Sequence, residues 1–187
     1  MIDKLLQLDT DLFLFLNSLH SDFFDQIMWF ISGKIQWLPL YALLIFFIIR
    51  KFKIKSIIIL ASLILAIVFS DQISVHLFKD VFQRLRPCHN PQIAYLVHIV
   101  NNHCGGQYGF VSSHAANTFA LATFISYLFK NKYVSYSILI WATIVSYSRI
   151  YLGVHYPGDV ICGALLGTIL GISFYKHSLY VEKRLKL

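Results

Sequence analysis

Charge is scarce in this chain, acid above all: nine Asp and Glu stand against sixteen Lys and Arg in 187 residues, and only 13% of positions are charged. An average soluble domain carries roughly 25%, so an ordinary water-soluble globule is excluded. Repeats, low-complexity stretches and Gly/Ser-rich linkers are absent as well, which leaves one domain over residues 1–187. What remains is apolar. Hydrophobic residues make up 57% and aromatics 16% of the sequence, and the mean hydropathy of +0.64 is that of an integral membrane protein.

A net charge of +7 and a pI near 9.3 raise the question of nucleic acid, and the placement of the charges answers it. Arg50, Lys51, Lys53, Lys55, Lys130, Lys132, Lys176, Lys183, Arg184 and Lys186 fall in short breaks between apolar runs or at the C-terminal end. That is positive-inside patterning rather than a binding stripe, so no nucleic-acid partner is expected. Near the N-terminus, Asp9 and Asp11 interrupt the apolar run and no small-residue cleavage site follows, so the segment reads as retained rather than as a signal peptide. Leu5, Leu8, Leu12, Phe15, Leu16 and Leu19 recur at near-helical spacing, which predicts a short amphipathic helix on the inner face.

Apolar segments at about 21–33, 35–50, 56–78, 113–129, 133–152 and 157–175 predict an all-α integral membrane protein, a bundle of six transmembrane helices. The first is the weakest, since Asp22 and Asp25 shorten it. If Arg50 to Lys55 is cytoplasmic, alternation puts both termini inside and sends residues 79–112 and 149–157 outward, to the periplasm or exterior of a bacterium. Trp29, Trp37 and Trp141 read as interfacial anchors near span ends.

Against this apolar background three outward segments concentrate function-bearing residues. Lys79 and Arg86 are seven residues apart, so a continuous helix would carry them on one face until Pro87 ends it; with Arg84 they are also readable as a basic cluster reaching for headgroups. Arg149, near the outer end of the fifth span, offers a planar donor fork suited to phosphate, or an ion pair with Asp71 or Asp80. Ser112 or Ser113 opens the fourth span as an N-cap, whose free backbone N–H groups suit an anion. His155 and Asp159 are four residues apart around Pro157, so the carboxylate can reach back and fix the imidazole tautomer.

In that arrangement His155 attacks phosphorus, Asp159 orients it, and His114 protonates the leaving oxygen and then activates water. Lys79, Arg86, Arg149, Ser112 and Ser113 bind the phosphate. No metal or other cofactor is required. The expected partners are the bilayer and a lipid phosphate or diphosphate. A reading of another class is a non-catalytic lipid-phosphate binding or transport protein.

The pattern Lys79 to Pro87, then Ser112-Ser113-His114, then Ser148-Arg149 through His155 to Asp159 resembles the type 2 phosphatidic acid phosphatase superfamily. These are membrane lipid-phosphate phosphatases related to vanadium haloperoxidases. The first and third motifs match in full. The second departs, since the family usually reads Pro-Ser-Gly-His where this chain has Val111-Ser112-Ser113-His114. The likeness covers residues 56–175 and implies a six-helix membrane fold and a histidine-nucleophile phosphatase. An outward-facing site in a small bacterial-looking chain suits carrier-lipid recycling, so undecaprenyl diphosphate is the first expected substrate, with lipid A phosphate, phosphatidylglycerophosphate and phosphatidic acid as alternatives.

Cys88 and Cys104 lie in the outward loop, where an oxidising compartment favours a disulfide worth roughly 3 kcal/mol. A zinc site with His89, His98 and His103 is the other reading, at a spacing that matches no common pattern. Gly105, Gly106 and Gly109 read as a flexible entrance, since no P-loop lysine follows.

Overall fold

The computed structural model describes residues 2–186, and among them the secondary structure is helical apart from one isolated β-bridge, Leu85 to Tyr108. Helix α1 spans Ile2–Ser18, α2 Asp22–Ser32, α3 Leu38–Phe52 and α4 Ser56–Gln72, with α4 prolonged by a π-helical turn over Ile73–Lys79 and a last turn over Asp80–Phe82. After a long loop come α5 Ser113–Phe129, α6 Lys132–Tyr151 and α7 Pro157–Arg184. Two helical stretches, Ile35–Phe82 and Pro157–Arg184, are apolar and long enough to cross a membrane. The first contains α3 and α4, reversed at Lys53, whose φ is +49°.

Helices α3 to α7 run between two poles. At one pole the Phe52 ring meets Phe129 at 6.1 Å, Lys51 sits over Phe129 and Lys55 pairs with Glu182 at 3.5 Å. That pole gathers the lysine-rich turns. The opposite pole receives Lys79, Ser113, Arg149 and Asp159, the residues singled out by sequence.

Two expectations are corrected here. The segment 21–33 does not run from pole to pole: α2 has 11 residues, about 16 Å against a hydrocarbon core of roughly 30 Å. Both its ends stay near the end of α6, where the Ser21 N–H donates to the Tyr151 hydroxyl at 3.0 Å and Arg149 donates to the Ser32 hydroxyl. Its acids explain why, since Asp25 accepts from Tyr151 at 2.8 Å and pairs with His98 at 2.9 Å. The amphipathic helix is present as α1, but at the site pole rather than at the lysine-rich pole expected to face inward. Its face of Asp9, Phe13 and Asn17 docks there: Phe13 packs edge-on against Tyr156 at 5.4 Å, and Asn17 donates to the Tyr151 carbonyl at 2.8 Å. Leu5, Leu8, Leu12 and Phe15 remain exposed on its other side. The described chain therefore begins and ends at opposite poles, not on the same side.

The core rests on small residues. Gly163, Gly167 and Gly171 recur every four residues along α7 and lie against the backbone of α5, where Ala116 and Ala120 answer them. Such stripes let helix backbones approach closely in lipid. A Cβ on Gly167 would stand 2.1 Å from the Ala116 carbonyl oxygen, whereas one on Gly106 would meet nothing within 4 Å. Gly167→Ala is therefore expected to cost about 1–3 kcal/mol by overpacking and to lower the melting temperature in detergent, with Gly106→Ala close to neutral.

Trp141 is not a span-end anchor: it lies within α6, 9% exposed, and Trp37, half-buried just before α3, packs on it at 5.4 Å.

Candidate active site

The first motif does not continue as a helix through Arg86. The α4 stretch stops at Phe82, Gln83 turns left-handed at φ +47°, and Arg86 is extended. Lys79 reaches the site from the end of the π-helical turn, a deviation frequent at functional sites. Arg86 comes from the bridged loop, its N–H donating to the Gln107 carbonyl at 3.1 Å while the Gly109 N–H donates to the Arg84 carbonyl at 2.8 Å. Its guanidinium is held by the Tyr108 and Val154 carbonyls at 3.3 and 3.5 Å.

The third motif is compact because Pro157 opens α7 and Asp159 sits in its first turn. Asp159 is fully buried and accepts from His155 Nδ1 at 3.3 Å, from the Tyr156 N–H at 3.1 Å and from Arg84 Nη1 at 2.9 Å. The backbone ties the second motif to the third, the Ser112 N–H donating to the Asp159 carbonyl at 3.0 Å.

Ser112 is the N-cap of α5, its hydroxyl accepting from the Ala115 N–H at 3.4 Å. Ser113 does something else. Its hydroxyl accepts from Lys79 Nζ at 2.7 Å and lies 2.7 Å from the Ser74 hydroxyl. The side chain that stands where glycine is usual thus fixes the position of Lys79.

The three cations converge on His155, which is 1% exposed. Burial, then the charges of Arg86, Arg149 and Lys79, push its imidazole well below the usual range, against a backbone hydrogen bond at Gly109 that works the other way. The neutral imidazole is therefore the favoured form. Burial also lowers Arg86, partly offset by Asp159. His114 shares the same electrostatic neighbourhood, with Arg149, His155, Lys34 and Arg86 around it.

Arg149 pairs with neither Asp71 nor Asp80. Asp80 makes an exposed pair with His76 at 3.0 Å, and among the described residues Arg149 finds only Ser32, with its Nε buried and unpartnered. A guanidinium taken out of water without a counter-ion costs several kcal/mol, and a bound phosphate oxygen would relieve that. Neutral imidazole, fixed carboxylate and three convergent cations suit an in-line displacement at a tetrahedral phosphate.

Sequence reasoning missed Arg84, Asp9 and Lys34. Arg84 joins Asp159 to Asp9, the latter at 2.7 Å, and its neighbour pattern gave no sign of this because Asp9 is 75 residues away. Gly109 was read as flexible; the structure gives it a closer task. A Cβ there would lie 3.0 Å from Asp159 Oδ2 and 3.2 Å from Arg86 Cγ.

Cys88 and Cys104 are joined as a disulfide with Cα atoms 6.0 Å apart. His89 lies within 4.8 Å of both sulfurs and its Nε2 is 3.2 Å from the Gly105 carbonyl, while His98 and His103 turn away to Asp25 and Trp29. Gly105, at φ +82°, lies against the Arg86 guanidinium. Cys88→Ser with Cys104→Ser is thus expected to loosen Arg86, lowering turnover up to about tenfold and melting temperature by the loss of roughly 3 kcal/mol. Adding reductant to the unsubstituted protein should reproduce both changes and leave the double variant unaffected.

Beside the site a groove of about 470 Å³ opens between α3, α4 and α5, lined by Tyr41, Leu44, Ile48, Leu63 and Leu121 with Ser113 and His114 at its head. Asp71, Asn117 and Thr118 also line it near this head, and the walls beyond them are mostly apolar.

Comparison with known proteins agrees with this geometry. A model of the PAP2 superfamily matches residues 55–182. The chain is 43% identical over 178 residues to a lipid A 4'-phosphatase of Bacteroides thetaiotaomicron, covering 94% of this chain and 79% of that one. It is 36% identical over 184 residues to a lipid A 4'-phosphatase of Porphyromonas gingivalis, covering 98% and 78%. The undecaprenyl-diphosphatase BcrC of Bacillus subtilis is 34% identical over 88 residues, 47% of this chain and 44% of its own. Among solved structures, Aquifex aeolicus LpxE superposes with a TM-score of 0.70 at 30% identity, covering 90% of this chain and 95% of that one. A transmembrane PAP2-type phosphatidylglycerolphosphate phosphatase of Bacillus subtilis shares the fold, with a TM-score of 0.73 at 21% identity over 95% and 88% of the two chains.

Proposed function

The chain belongs to the PAP2 superfamily and is a lipid phosphatase, a hydrolase of phosphate esters, and from that premise we propose that it removes a phosphate from phosphorylated lipid A. The observation that carries this substrate is the similarity to two lipid A 4'-phosphatases, 43% and 36% identical over 94% and 98% of this chain. The undecaprenyl diphosphate expectation has weaker support, since two relatives of that name match 47% and 71% of this chain at 34% and 33% identity, against 94% and 98% at 43% and 36% for the lipid A 4'-phosphatases. The apolar groove that ends at Ser113 and His114 supports a lipid ester, because acyl chains need apolar walls beside the phosphate cradle.

In the proposed mechanism Lys79, Arg86 and Arg149 hold the three non-bridging phosphate oxygens. His155 Nε2 attacks phosphorus while Asp159 keeps the proton on Nδ1. The phosphorus–oxygen bond to the lipid breaks, and His114 protonates the departing alkoxide. Neutral His114 then takes a proton from water, whose oxygen attacks the phosphohistidine and releases inorganic phosphate and free His155. The resident charges supply the stabilisation, so no metal ion enters the scheme.

The proposed orientation has five crossings, α3 to α7, with the lysine-rich pole cytoplasmic and the site facing the periplasm of a bacterial inner membrane. Helix α1 then lies in the outer leaflet interface, its exposed leucines in lipid.

The test is phosphate release by purified protein, with EDTA present, from lipid A, undecaprenyl diphosphate, phosphatidylglycerophosphate and phosphatidic acid. Lipid A is expected to be turned over with the highest kcat/KM, undiminished by EDTA. Preference for undecaprenyl diphosphate would overturn the substrate; loss of all turnover to EDTA, restored by zinc, would overturn the mechanism.

A further inference from the structure

We infer that Asp9 on α1 is a positioning residue for the catalytic pair, acting through the Arg84 guanidinium and the Gly158 N–H to hold Asp159 against His155. The inference rests on the roles proposed above for His155 and Asp159. It adds a residue outside the matched family region, which begins at residue 55.

Arg84 is a fork between two carboxylates: Nη1 donates to Asp159 Oδ1 at 2.9 Å and Nη2 to Asp9 Oδ2 at 2.7 Å. The guanidinium plane is fixed from a third side by Tyr156, whose ring centroid lies 4.0 Å away. Asp9 uses its other oxygen on the backbone, accepting from the Gly158 N–H at 2.7 Å. Both bonds converge on the first turn of α7, from which Asp159 projects. One carboxylate thus fixes the cation that holds Asp159 and the backbone that carries it.

The fit excludes a larger residue at 158. A Cβ on Gly158 would stand 2.8 Å from Asp9 Oδ2, so glycine admits the carboxylate to the turn. Asp9 is otherwise out of place, an acid in a helix with leucines on its exposed side. Its two bonds on the opposite face give it a reason to be there. Charge-assisted bonds of this kind are stronger than neutral ones, and a carboxylate that orients a histidine sets its tautomer only while it is itself held.

The experiment uses the full chain in detergent with para-nitrophenyl phosphate, so that lipid recognition does not enter. Asp9→Asn is expected to lower kcat by about 10–100-fold, as loss of an outer hydrogen-bond partner does at other sites, with KM little changed. Asp9→Glu should recover part of the loss. Gly158→Ala, which displaces Asp9 without altering any charge, should reproduce it. Asp9→Asn combined with Arg84→Gln should be no worse than Arg84→Gln alone, because both cut one link.

Asn17→Ala separates positioning from docking. Asn17 anchors α1 to the His98 and Tyr151 carbonyls and touches neither Arg84 nor Asp159. It is expected to lower the melting temperature with a smaller effect on kcat than Asp9→Asn. Equal losses in kcat for Asn17→Ala and Asp9→Asn would overturn the inference, as would full activity of Asp9→Asn or additive losses in the double variant. Failure of the underlying mechanism would show differently, as phosphate release that survives His155→Ala.

Discussion

His155→Ala is expected to lower kcat for phosphate release by about four orders of magnitude or more, the scale on which enzymes lose activity when a covalent nucleophile is removed. Asp159 cannot take its place, because it is fully buried and engaged by Arg84 and Tyr156. Binding should survive. The three cations remain, so the variant is expected to retain labelled lipid phosphate in a filter or flotation assay with affinity close to that of the parent. This pair of results distinguishes an enzyme from a lipid-phosphate binding or transport protein, which would tolerate the loss of an imidazole better than the loss of Arg86 or Arg149. A fall in turnover of tenfold or less would remove His155 from the covalent role.

Arg149→Met carries the second large effect. Among the described residues its guanidinium has one side-chain partner, Ser32, and a buried Nε with none, so its remaining donors are available to phosphate. Removing one donor aimed at developing transition-state charge costs on the order of 10²–10³ in kcat. A fork that also supplies a full charge is expected at the upper end or beyond. Arg149→Lys should recover little of this, because a point charge on a flexible stem does not reproduce a planar bidentate donor. The protein itself should become no less stable, since the unpaired buried cation is destabilising without ligand. Steady-state kinetics and melting curves with and without inorganic phosphate check both halves: phosphate should raise the melting temperature of the parent and not of Arg149→Met. Stabilisation by phosphate that is equal in both would contradict the assignment.

What the sequence disclosed was the part of the site written in local spacing. His155 and Asp159 are four residues apart on either side of a helix start, and that geometry follows from the chain alone. Ser112 announces a cap in the same way. The basic residues Lys79, Arg86 and Arg149 were legible as costly charges beside apolar runs, but the route of Arg86 was not. A continuous helix was the simplest link from Lys79, and it is broken at Gln83, where a left-handed turn hands Arg86 to a β-bridge with Tyr108 and its neighbours. No periodicity signals a bridge between two loops.

Helix α1 was legible as amphipathic from its leucines, yet its place was not. The leucine stripe is the exposed side, and the face that decides location is Asp9, Phe13 and Asn17, whose partners are 75 to 149 residues distant. The short segment 21–33 was mistaken for a span because its apolar residues outweigh Asp22 and Asp25 in any hydropathy average, although Asp25 is engaged by Tyr151 and His98. Trp141 misled similarly: its type suggests an interface, and the structure places it in the core with Trp37 packed on it.

The most direct measurement is a search for a covalent phosphate on His155. In His114→Asn with para-nitrophenyl phosphate, the leaving nitrophenolate needs no proton, so the first step proceeds while the water-activating base is gone. The mechanism requires a burst of about one nitrophenolate per protein and an acid-labile, alkali-stable phosphate recovered on the peptide containing His155. Absence of both burst and bound phosphate under turnover, or phosphate recovered on a different residue, would contradict it.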